Sequence, residues 1–235
     1  MRTVIIAGGQ PHAGEGWRRW VQQGDRIIGV DGGASQALAW GLVPHVVIGD
    51  LDSLPSPARA VLEARGGQFL VHPRAKDETD LELALSYAAE QGADDIVILG
   101  ALGGRLDHTL ANVLLLALPQ LARRSVRIVD GLEEALLLRS GQDVLLRGLP
   151  GDLVSLLPLG GDAHGVTATG LAWPLRNETL RFAFSRGVSN EMTGAEATVV
   201  VHEGLVLVVH RHMVVEEERV GHQRGDHLAS GFAGR

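Results

Sequence analysis

Short aliphatic runs, each ending in glycine, in an acidic residue or at a His-Pro pair, recur through the first half of the chain. The runs alternate with segments in which apolar residues have helical spacing. Near-continuous apolar strands alternating with helices are typical of a parallel sheet covered on both faces. We therefore predict an α/β domain over residues 1–130. Its predicted strands are Arg2–Ala7, Arg26–Val30, Val46–Ile48, Gln68–Val71, Asp95–Leu99 and Val126–Val129.

Two helices of this region have recognisable ends. Thr79 to Glu82 form a capping box that predicts a helix over Leu81–Gln91, with Gly92 ending it. A second helix is predicted over Leu106–Leu118, because Pro119 cannot continue it. In open, Rossmann-like sheets of this kind, ligands bind beyond the carboxyl ends of the strands. The glycines and acids of this chain cluster at those ends.

The pattern changes after residue 130 to short runs separated by Gly or Pro turns, which predicts an all-β second domain over 131–210. The predicted strands include Glu133–Arg139, Asp143–Arg147 and Leu153–Pro158. Thr198–His202 and Leu205–His210, joined through Glu203 and Gly204, are predicted to pair as a closing hairpin.

The segment 211–235 is charged and glycine-bearing, and we predict a mobile tail. His210, His212, His222 and His227 could suggest a metal-binding tract. Scattered, solvated histidines are the preferred interpretation.

Composition excludes several function classes. The 235 residues carry a formal net charge of -7, which argues against broad attraction to nucleic acid or anionic membranes. The chain has no cysteine, so disulfides, thiolate metal sites and a cysteine nucleophile are excluded. No apolar run approaches the ~20 residues that span a bilayer, and the N-terminus lacks the longer apolar core of a signal peptide. We expect a cytoplasmic protein.

Asp50 and Asp52 follow the predicted strand Val46–Ile48. Alternate residues of an extended chain point the same way, so both carboxylates can face one point. They would repel each other unless a cation or basic group lies between them, and Mg²⁺ is commonly held by one or two carboxylates plus substrate phosphates. The alternative is an ordinary polar turn.

A second cluster, Asp31-Gly32-Gly33-Ala34, follows the strand Arg26–Val30. Its glycines would let backbone N–H groups approach a nucleotide closely, with a helix N-terminus just behind. The alternative is a tight strand-to-helix turn.

The third cluster is Lys76-Asp77-Glu78-Thr79-Asp80. A lysine among acids at a helix start suggests a phosphate contact next to a metal site. Helix capping explains Thr79 and partly explains the acids, but it does not explain Lys76, whose charge is unfavourable there.

The fourth cluster runs from Gly100 to His108 and pairs Gly103 and Gly104 with Arg105, a residue suited to bidentate phosphate binding. The alternative is a surface pair of Arg105 with Asp107, which would contribute little. Each alternative is reasonable singly, but four such clusters at one sheet edge favour a binding site.

The ordered set of these four clusters resembles the thiamine pyrophosphokinase (thiamine diphosphokinase) family. Gly170-Leu171-Ala172-Trp173-Pro174-Leu175 and Gly187-Val188-Ser189-Asn190-Glu191 are similar to two C-terminal motifs of that family. The resemblance extends from Gly8 to about His210.

The resemblance implies transfer of the pyrophosphoryl group of ATP to the hydroxyethyl oxygen of thiamine, giving thiamine diphosphate and AMP. It further implies a Mg²⁺-dependent homodimer with active sites at the subunit interface. The first domain would bind ATP and Mg²⁺, and a β-sandwich over 131–210 would bind thiamine and dimerise.

The resemblance also implies roles for individual residues. Asp50, Asp52 and Asp80 would hold Mg²⁺ and the ATP phosphates. Our own hypothesis for the mechanism is that an acid such as Asp80 or Asp107 accepts the hydroxyl proton. Trp173 would pack against thiamine, although a core tryptophan is the alternative, and Ser189 and Asn190 would meet its pyrimidine ring. The catalytic set would be Asp50, Asp52, Asp80, Arg105 and Asp107, and the ATP and phosphate set Asp31, Gly32, Gly33, Lys76, Thr79, Gly103, Gly104 and His108.

Two other functions compete. A nucleotide-sugar glycosyltransferase also uses an Asp-x-Asp pair on a divalent metal, but it does not require Lys76, Arg105 and Trp173 together. The second alternative is a nucleotide-binding sensor on the same fold. A sensor does not explain why so many acids converge, because acids weaken phosphate binding unless a metal is present.

Overall fold

The computed structural model describes residues 1–9 and 16–213. Six parallel strands form one part of a large sheet, in the order β6-β5-β1-β2-β3-β4. All six were predicted, each to within one residue at either end. Most of their residues are aliphatic and buried, because both faces of the sheet are covered. They are β1 (Arg2–Ile6), β2 (Arg26–Val30), β3 (Val46–Gly49), β4 (Gln68–Val71), β5 (Asp95–Leu99) and β6 (Ser125–Asp130).

Four helices connect these strands: α1 (Gly33–Ala39), α2 (Ser56–Ala64), α3 (Asp80–Glu90) and α4 (Leu106–Leu115). The Thr79 side chain accepts a hydrogen bond from the backbone N–H of Glu82, which confirms the predicted cap of α3. Helix α4 ends three residues earlier than predicted. The chain then tightens into a 3₁₀ turn at Pro119–Leu121, where proline fits the first helical position.

Each face of the parallel sheet has its own apolar layer. On one face Leu85 of α3 lies in a cluster with Ile28 and Ile98. On the other, Trp17 and Trp20 from the 3₁₀ turn Gly16–Trp20 join a cluster that includes Val97. The predicted sheet covered on both faces is therefore present.

The sheet does not end at β6. Strand β7 (Glu133–Arg139) pairs antiparallel with β6, so the ten-stranded sheet crosses the predicted boundary at 130/131. It continues in the order β7-β14-β9-β12, through β14 (Leu205–Arg211), β9 (Leu153–Pro158) and β12 (Asn190–Glu191). A separate antiparallel sheet, in the order β11-β10-β13-β8, comprises β8 (Gln142–Arg147), β10 (Ala163–Thr169), β11 (Leu175–Leu180) and β13 (Glu196–Val201).

The predicted closing hairpin is wrong. β13 pairs with β8 and β10, whereas β14 pairs with β7 and β9 in the other sheet. Val199 and Val208 are both fully buried in the core that the two sheets share. The short connection after Val201 therefore carries the chain from one sheet to the other.

The prediction of solvated histidines is wrong for His210 and His212. Arg211 ends β14, so the strand extends into the predicted tail. His210 is 1% exposed, because β14 lies between β7 and β9, and the His212 side chain is 13% exposed. The tail beyond residue 213, with His222 and His227, lies outside the described residues. Among the described helices, none is long and apolar enough to cross a membrane.

Candidate active site

A cleft of about 610 Å³ lies at the carboxyl ends of the parallel strands. The loops after β1, β2, β3, β4 and β5 all contribute to its wall, which confirms that the predicted clusters meet at one sheet edge. The cleft brings together Asp31, Gly32, Asp50, Lys76, Thr79, Asp80, Gly103, Gly104, Arg105 and His108.

Three carboxylates converge at the cleft: Asp31 and Asp50 belong to its wall, whereas Asp52 lies beside them, outside the wall. One oxygen from each of Asp31, Asp50 and Asp52 lies within 4.8 Å of the other two. Gly49 makes this possible, because its φ is 149° and a Cβ there would lie 2.1 Å from Oδ1 of Asp31. The N–H of Leu51 donates to Oδ1 of Asp31 (3.2 Å), and the N–H of Asp52 donates to Oδ1 of Asp50 (3.0 Å).

The electrostatics of this carboxylate cluster favour a cation. Burial, helped by the neighbouring Asp80, raises the pKa of Asp31 to about 7. The N–H of Asp52 instead holds the pKa of Asp50 below its ordinary value. Asp31 therefore resists ionisation unless positive charge arrives, while Asp50 stays ionised. Carboxylate oxygens are the ligands that hard divalent cations prefer.

Basic side chains face the same acids. Nζ of Lys76 lies 2.9 Å from Oδ1 of Asp80 and donates to the carbonyl of Pro73. The bond to Asp80 raises the pKa of Lys76, so the lysine is cationic at neutral pH. Arg74 approaches Asp52, with 3.9 Å between Nη1 and Oδ2. The cleft thus combines acids for a cation with bases for phosphate.

Asp107 stands apart from the other acids. It pairs with Arg105 on the surface, with Nε to Oδ1 at 3.1 Å, and this bond lowers the pKa of Asp107. Arg105 lines the cleft but Asp107 does not.

Gly33 also lies outside the cleft wall and contributes through packing. A Cβ at this position would lie 2.0 Å from the carbonyl oxygen of Ile6. Glycine therefore lets α1 begin directly against β1, which sets the position of Gly32 in the cleft.

Several cleft residues were not assigned from the sequence. Gly8 and Gly9 follow β1 as the other clusters follow their strands, so their position at a strand end could have identified them. Arg74 follows β4 and precedes Lys76 by two residues, so it could have been identified in the same way. No sequence pattern identifies Asn112, because its place depends on its bond to the carbonyl of Ala101 (2.7 Å).

A second cleft, of about 490 Å³, lies in the antiparallel part. Its wall includes Trp173, Phe184, Arg186, Val188 and Asn190. Trp173 is 61% exposed, so the alternative of a core tryptophan is wrong. The wall of this cleft shares no described residue with that of the first.

Asn190 is 5% exposed and its amide holds Trp173. Oδ1 accepts from the N–H of Trp173 (3.0 Å), and Nδ2 donates to the Trp173 carbonyl (2.6 Å). Ser189, with φ of 58°, donates its N–H to Oγ of Ser155 and is absent from the wall. Asn190 therefore fixes the backbone that presents the exposed indole.

Two family models match the chain. Residues 17–129 match the catalytic domain of thiamin pyrophosphokinase, and residues 143–206 match its vitamin B1 binding domain.

Curated relatives agree with the family models. The chain is 30% identical over 210 residues to thiamine pyrophosphokinase from Bacillus subtilis, covering 89% of this chain and 98% of the relative. It is 32% identical over 166 residues to thiamine pyrophosphokinase 3 of Oryza sativa, covering 67% of this chain and 61% of the relative.

Solved structures share the architecture. The structure of the thiamine pyrophosphokinase from Bacillus subtilis aligns with a TM-score of 0.81 and 27% identity, covering 91% of this chain and all of that one. The thiamin pyrophosphokinase from Geobacillus thermodenitrificans aligns with a TM-score of 0.77 and 29% identity, covering 91% of this chain and 98% of that one.

Proposed function

Because this chain belongs to the thiamine pyrophosphokinase family and is an enzyme of that kind, we propose that its carboxylate-lined cleft holds the triphosphate of ATP and a divalent cation. The observation that carries the proposal is the convergence of Asp31, Asp50 and Asp52 opposite Lys76 and Arg74. The glycosyltransferase and sensor alternatives are not favoured, because both family models cover the corresponding parts of the chain.

The reaction joins the hydroxyethyl oxygen of thiamine to the β-phosphorus of ATP. The bond between the β-phosphorus and the oxygen bridging to the α-phosphate breaks, and AMP leaves with that oxygen. The hydroxyl proton passes to a base. We assign in-line displacement, in which the protein acts mainly by positioning and by neutralising charge.

Mg²⁺ is the cation we propose, because the donor set consists of carboxylate oxygens. Asp50 and Asp52 would hold it, with Asp31 in the same cluster and Asp80 beside Asp31. When bound, Mg²⁺ supplies positive charge that offsets the charge of the phosphates.

Side chains of the cleft supply the remaining charge. Lys76 and Arg105 bind the phosphate oxygens, and Arg74, unassigned from the sequence, adds a third cation at the same wall. The Gly32, Gly103 and Gly104 backbone allows close approach of the nucleotide.

Asp80 is better placed than Asp107 to accept the proton. Asp80 lines the cleft, whereas Asp107 lies outside its wall and has a pKa lowered by Arg105. A base with a lowered pKa accepts a proton poorly.

Thiamine would bind in the second cleft. An exposed indole suits the cationic thiazolium, so Trp173 stacks on it while Asn190 holds the backbone of Trp173. Ser189 stays assigned to the pyrimidine by resemblance alone.

A homodimer would bring the two clefts together. The clefts share no described lining residue in one chain, so a partner could place its thiamine cleft against the ATP cleft. Exposed apolar residues support an interface: Leu106, Leu110, Leu114, Phe182 and Phe184. We also propose domain limits at 130/131 and 210, with a Rossmann-like first part and a β-sandwich second part. The proposed location is cytoplasmic.

The test of the site is Asp52→Asn. The Asp52 side chain is exposed and its ion pair with Arg74 is long, at 3.9 Å, so the variant should fold while turnover falls at least 100-fold. Asp143→Asn, an exposed acid on β8, is the control and should keep full activity. Thiamine diphosphate formation and the circular dichroism spectrum are measured for each, and an active Asp52→Asn enzyme would remove the metal assignment.

A further inference from the structure

A second cluster of metal-ligating side chains lies in the antiparallel part of the large sheet. His210 of β14 is directly opposite Glu134 of β7 in the register. His212 is two residues further on, so its side chain lies on the same side of the chain. Asp152, just before β9, completes the group from the other neighbouring strand.

Three of these residues aim donor atoms at one point. Nδ1 of His210 and Nε2 of His212 lie 3.4 Å and 3.5 Å from the same oxygen, Oε1 of Glu134. Both nitrogens are buried and have no hydrogen-bond partner among the described residues. The His210 side chain is 1% exposed, so water does not readily satisfy its Nδ1.

The other side of each ring is held in place. Oδ2 of Asp152 lies 3.1 Å from Nε2 of His210 and 3.5 Å from Nδ1 of His212. Asp152 is itself fixed by the N–H groups of Met213 (2.7 Å) and Leu149 (3.0 Å). A carboxylate behind a histidine is the usual support of a metal-binding imidazole.

Glu134 is oriented in the same way. Its second oxygen, Oε2, accepts from Nη1 of Arg127 at 3.1 Å. Oε1 is therefore left facing the two imidazoles, as a single carboxylate ligand would be.

We propose that Glu134, His210 and His212 bind a divalent transition metal, with Zn²⁺ as the best match, at a site distinct from the carboxylate cluster of the cleft. Two imidazoles and one carboxylate are a common zinc ligand set. Two donors on a tetrahedral ion with bonds of about 2.1 Å lie about 3.4 Å apart, in agreement with the separations of 3.4 Å and 3.5 Å from Oε1 of Glu134. A water molecule on the side of His212, whose side chain is the most exposed of the three at 13%, would complete the coordination.

The site fits a structural role. It joins β7 to β14, and Asp152 extends it to β9. The His212 ring also lies 6.2 Å from that of Trp20, whose indole belongs to the apolar layer of the parallel part. Metal binding here would stabilise the continuous sheet where its two parts meet.

The alternative to a bound metal at this site is a proton on His210. Burial disfavours a charged imidazole, but the carboxylates of Glu134 and Asp152 outweigh it and raise the pKa of His210. Protonated His210 would bridge the two acids without any metal. This account requires no affinity for Zn²⁺, so binding measurements separate the two.

The experiment uses the full chain, treated with a chelator and dialysed. Calorimetric titration with Zn²⁺ at pH 7.5 should find one tight site per chain, and Co²⁺ in its place should give the intense visible bands of a four- or five-coordinate ion. In His212→Ala the Zn²⁺ affinity should fall at least 100-fold and the Co²⁺ bands should vanish. His202→Ala, an exposed histidine outside the cluster, should bind as the wild type does.

Two further variants make the result decisive. Asp52→Asn should keep the tight site, because the carboxylate cluster is not the zinc site. His212→Gln replaces His212→Ala if the alanine variant does not fold. The proposal is overturned if the wild type has no tight Zn²⁺ site, or if substitution of His212 leaves binding unchanged.

Discussion

Asp31 illustrates how the fold changes the chemistry of a single side chain. In sequence it is the acid of a glycine turn, assigned to the nucleotide. Folding places Asp31 next to Asp80 and Asp50, and burial raises its pKa to about 7. Its position depends on Gly49, whose missing Cβ leaves room for the carboxylate.

This shift predicts a pH dependence of stability. The folded pKa of Asp31, about 7, exceeds its ordinary value of 3.8, so the protonated form stabilises the native state. That contribution is fully present below about pH 4 and is lost as the pH rises through 7. The asparagine of the Asp31→Asn variant cannot ionise. The free energy of unfolding of this variant should therefore increase relative to that of the wild type between pH 4 and pH 8.

The measurement is urea denaturation of both proteins at several pH values with a chelator present. Asp143→Asn, at an exposed acid, should follow the wild type throughout. A difference between Asp31→Asn and the wild type that does not change with pH would contradict the raised pKa.

Trp173 provides a second prediction, because the indole is 61% exposed and lines the second cleft, where we propose that thiamine binds. Loss of a cation–π contact predicts that Trp173→Ala raises the dissociation constant for thiamine about tenfold. Affinity for ATP should change less than twofold. Leu145→Ala truncates an exposed apolar side chain on β8, outside both the cleft wall and the proposed interface, and is the control. Equal losses for both ligands in Trp173→Ala would contradict the assignment.

The sequence predicted that Asp50 and Asp52 converge, because both follow the end of one strand. It named Asp80 as the third metal ligand, whereas the third member of the cluster is Asp31 from the neighbouring strand end. It did not predict the histidine cluster. His210 and Glu134 are far apart in the chain and meet only because β14 inserts between β7 and β9. The sequence around either residue does not predict that these strands pair.

Among the elements, α3 follows most directly from its sequence. The Thr79 cap holds the first turn, which places Asp80 in the cleft, and Gly92 leaves the helix with φ of 77°. Such signals are local, so they can be read without knowing the fold. The apolar runs of β1 to β6 were predictable for the same reason.

Thr79→Ala tests the cap. Loss of the bond to the N–H of Glu82 should lower the free energy of unfolding by about 1 kcal/mol. Ser56→Ala at the start of α2 is the control, because α2 has no side-chain cap, and its effect should stay within about 0.5 kcal/mol. Urea denaturation measures both, and equal small effects would contradict a stabilising cap.

The connection between β13 and β14 shows where local signals fail. Two β runs joined by a short Glu-Gly turn predict a hairpin. Burial overrides that preference, because Val199 and Val208 both belong to the core between the sheets and are best covered when the strands lie in opposite layers. The element types were predictable, whereas the strand partners were not.

Over the whole molecule, the continuous sheet extends from the parallel part, which holds the first cleft, into the antiparallel part, which holds the second. The parallel strands end at a cleft lined by acidic and basic side chains, where we propose that ATP and a divalent cation bind, and the antiparallel part carries an exposed indole in its own cleft. Since no described residue lines both, the account requires a second chain to bring thiamine to ATP.

Pyrophosphoryl transfer to thiamine differs from other ATP-dependent reactions in the identity of its products. The purified protein is incubated with ATP, Mg²⁺ and thiamine, and the nucleotides and thiamine esters are separated and quantified. We expect AMP and thiamine diphosphate in equal amounts, with neither formed when thiamine or Mg²⁺ is omitted. ADP as the sole nucleotide product, or no turnover by the folded protein, would contradict it.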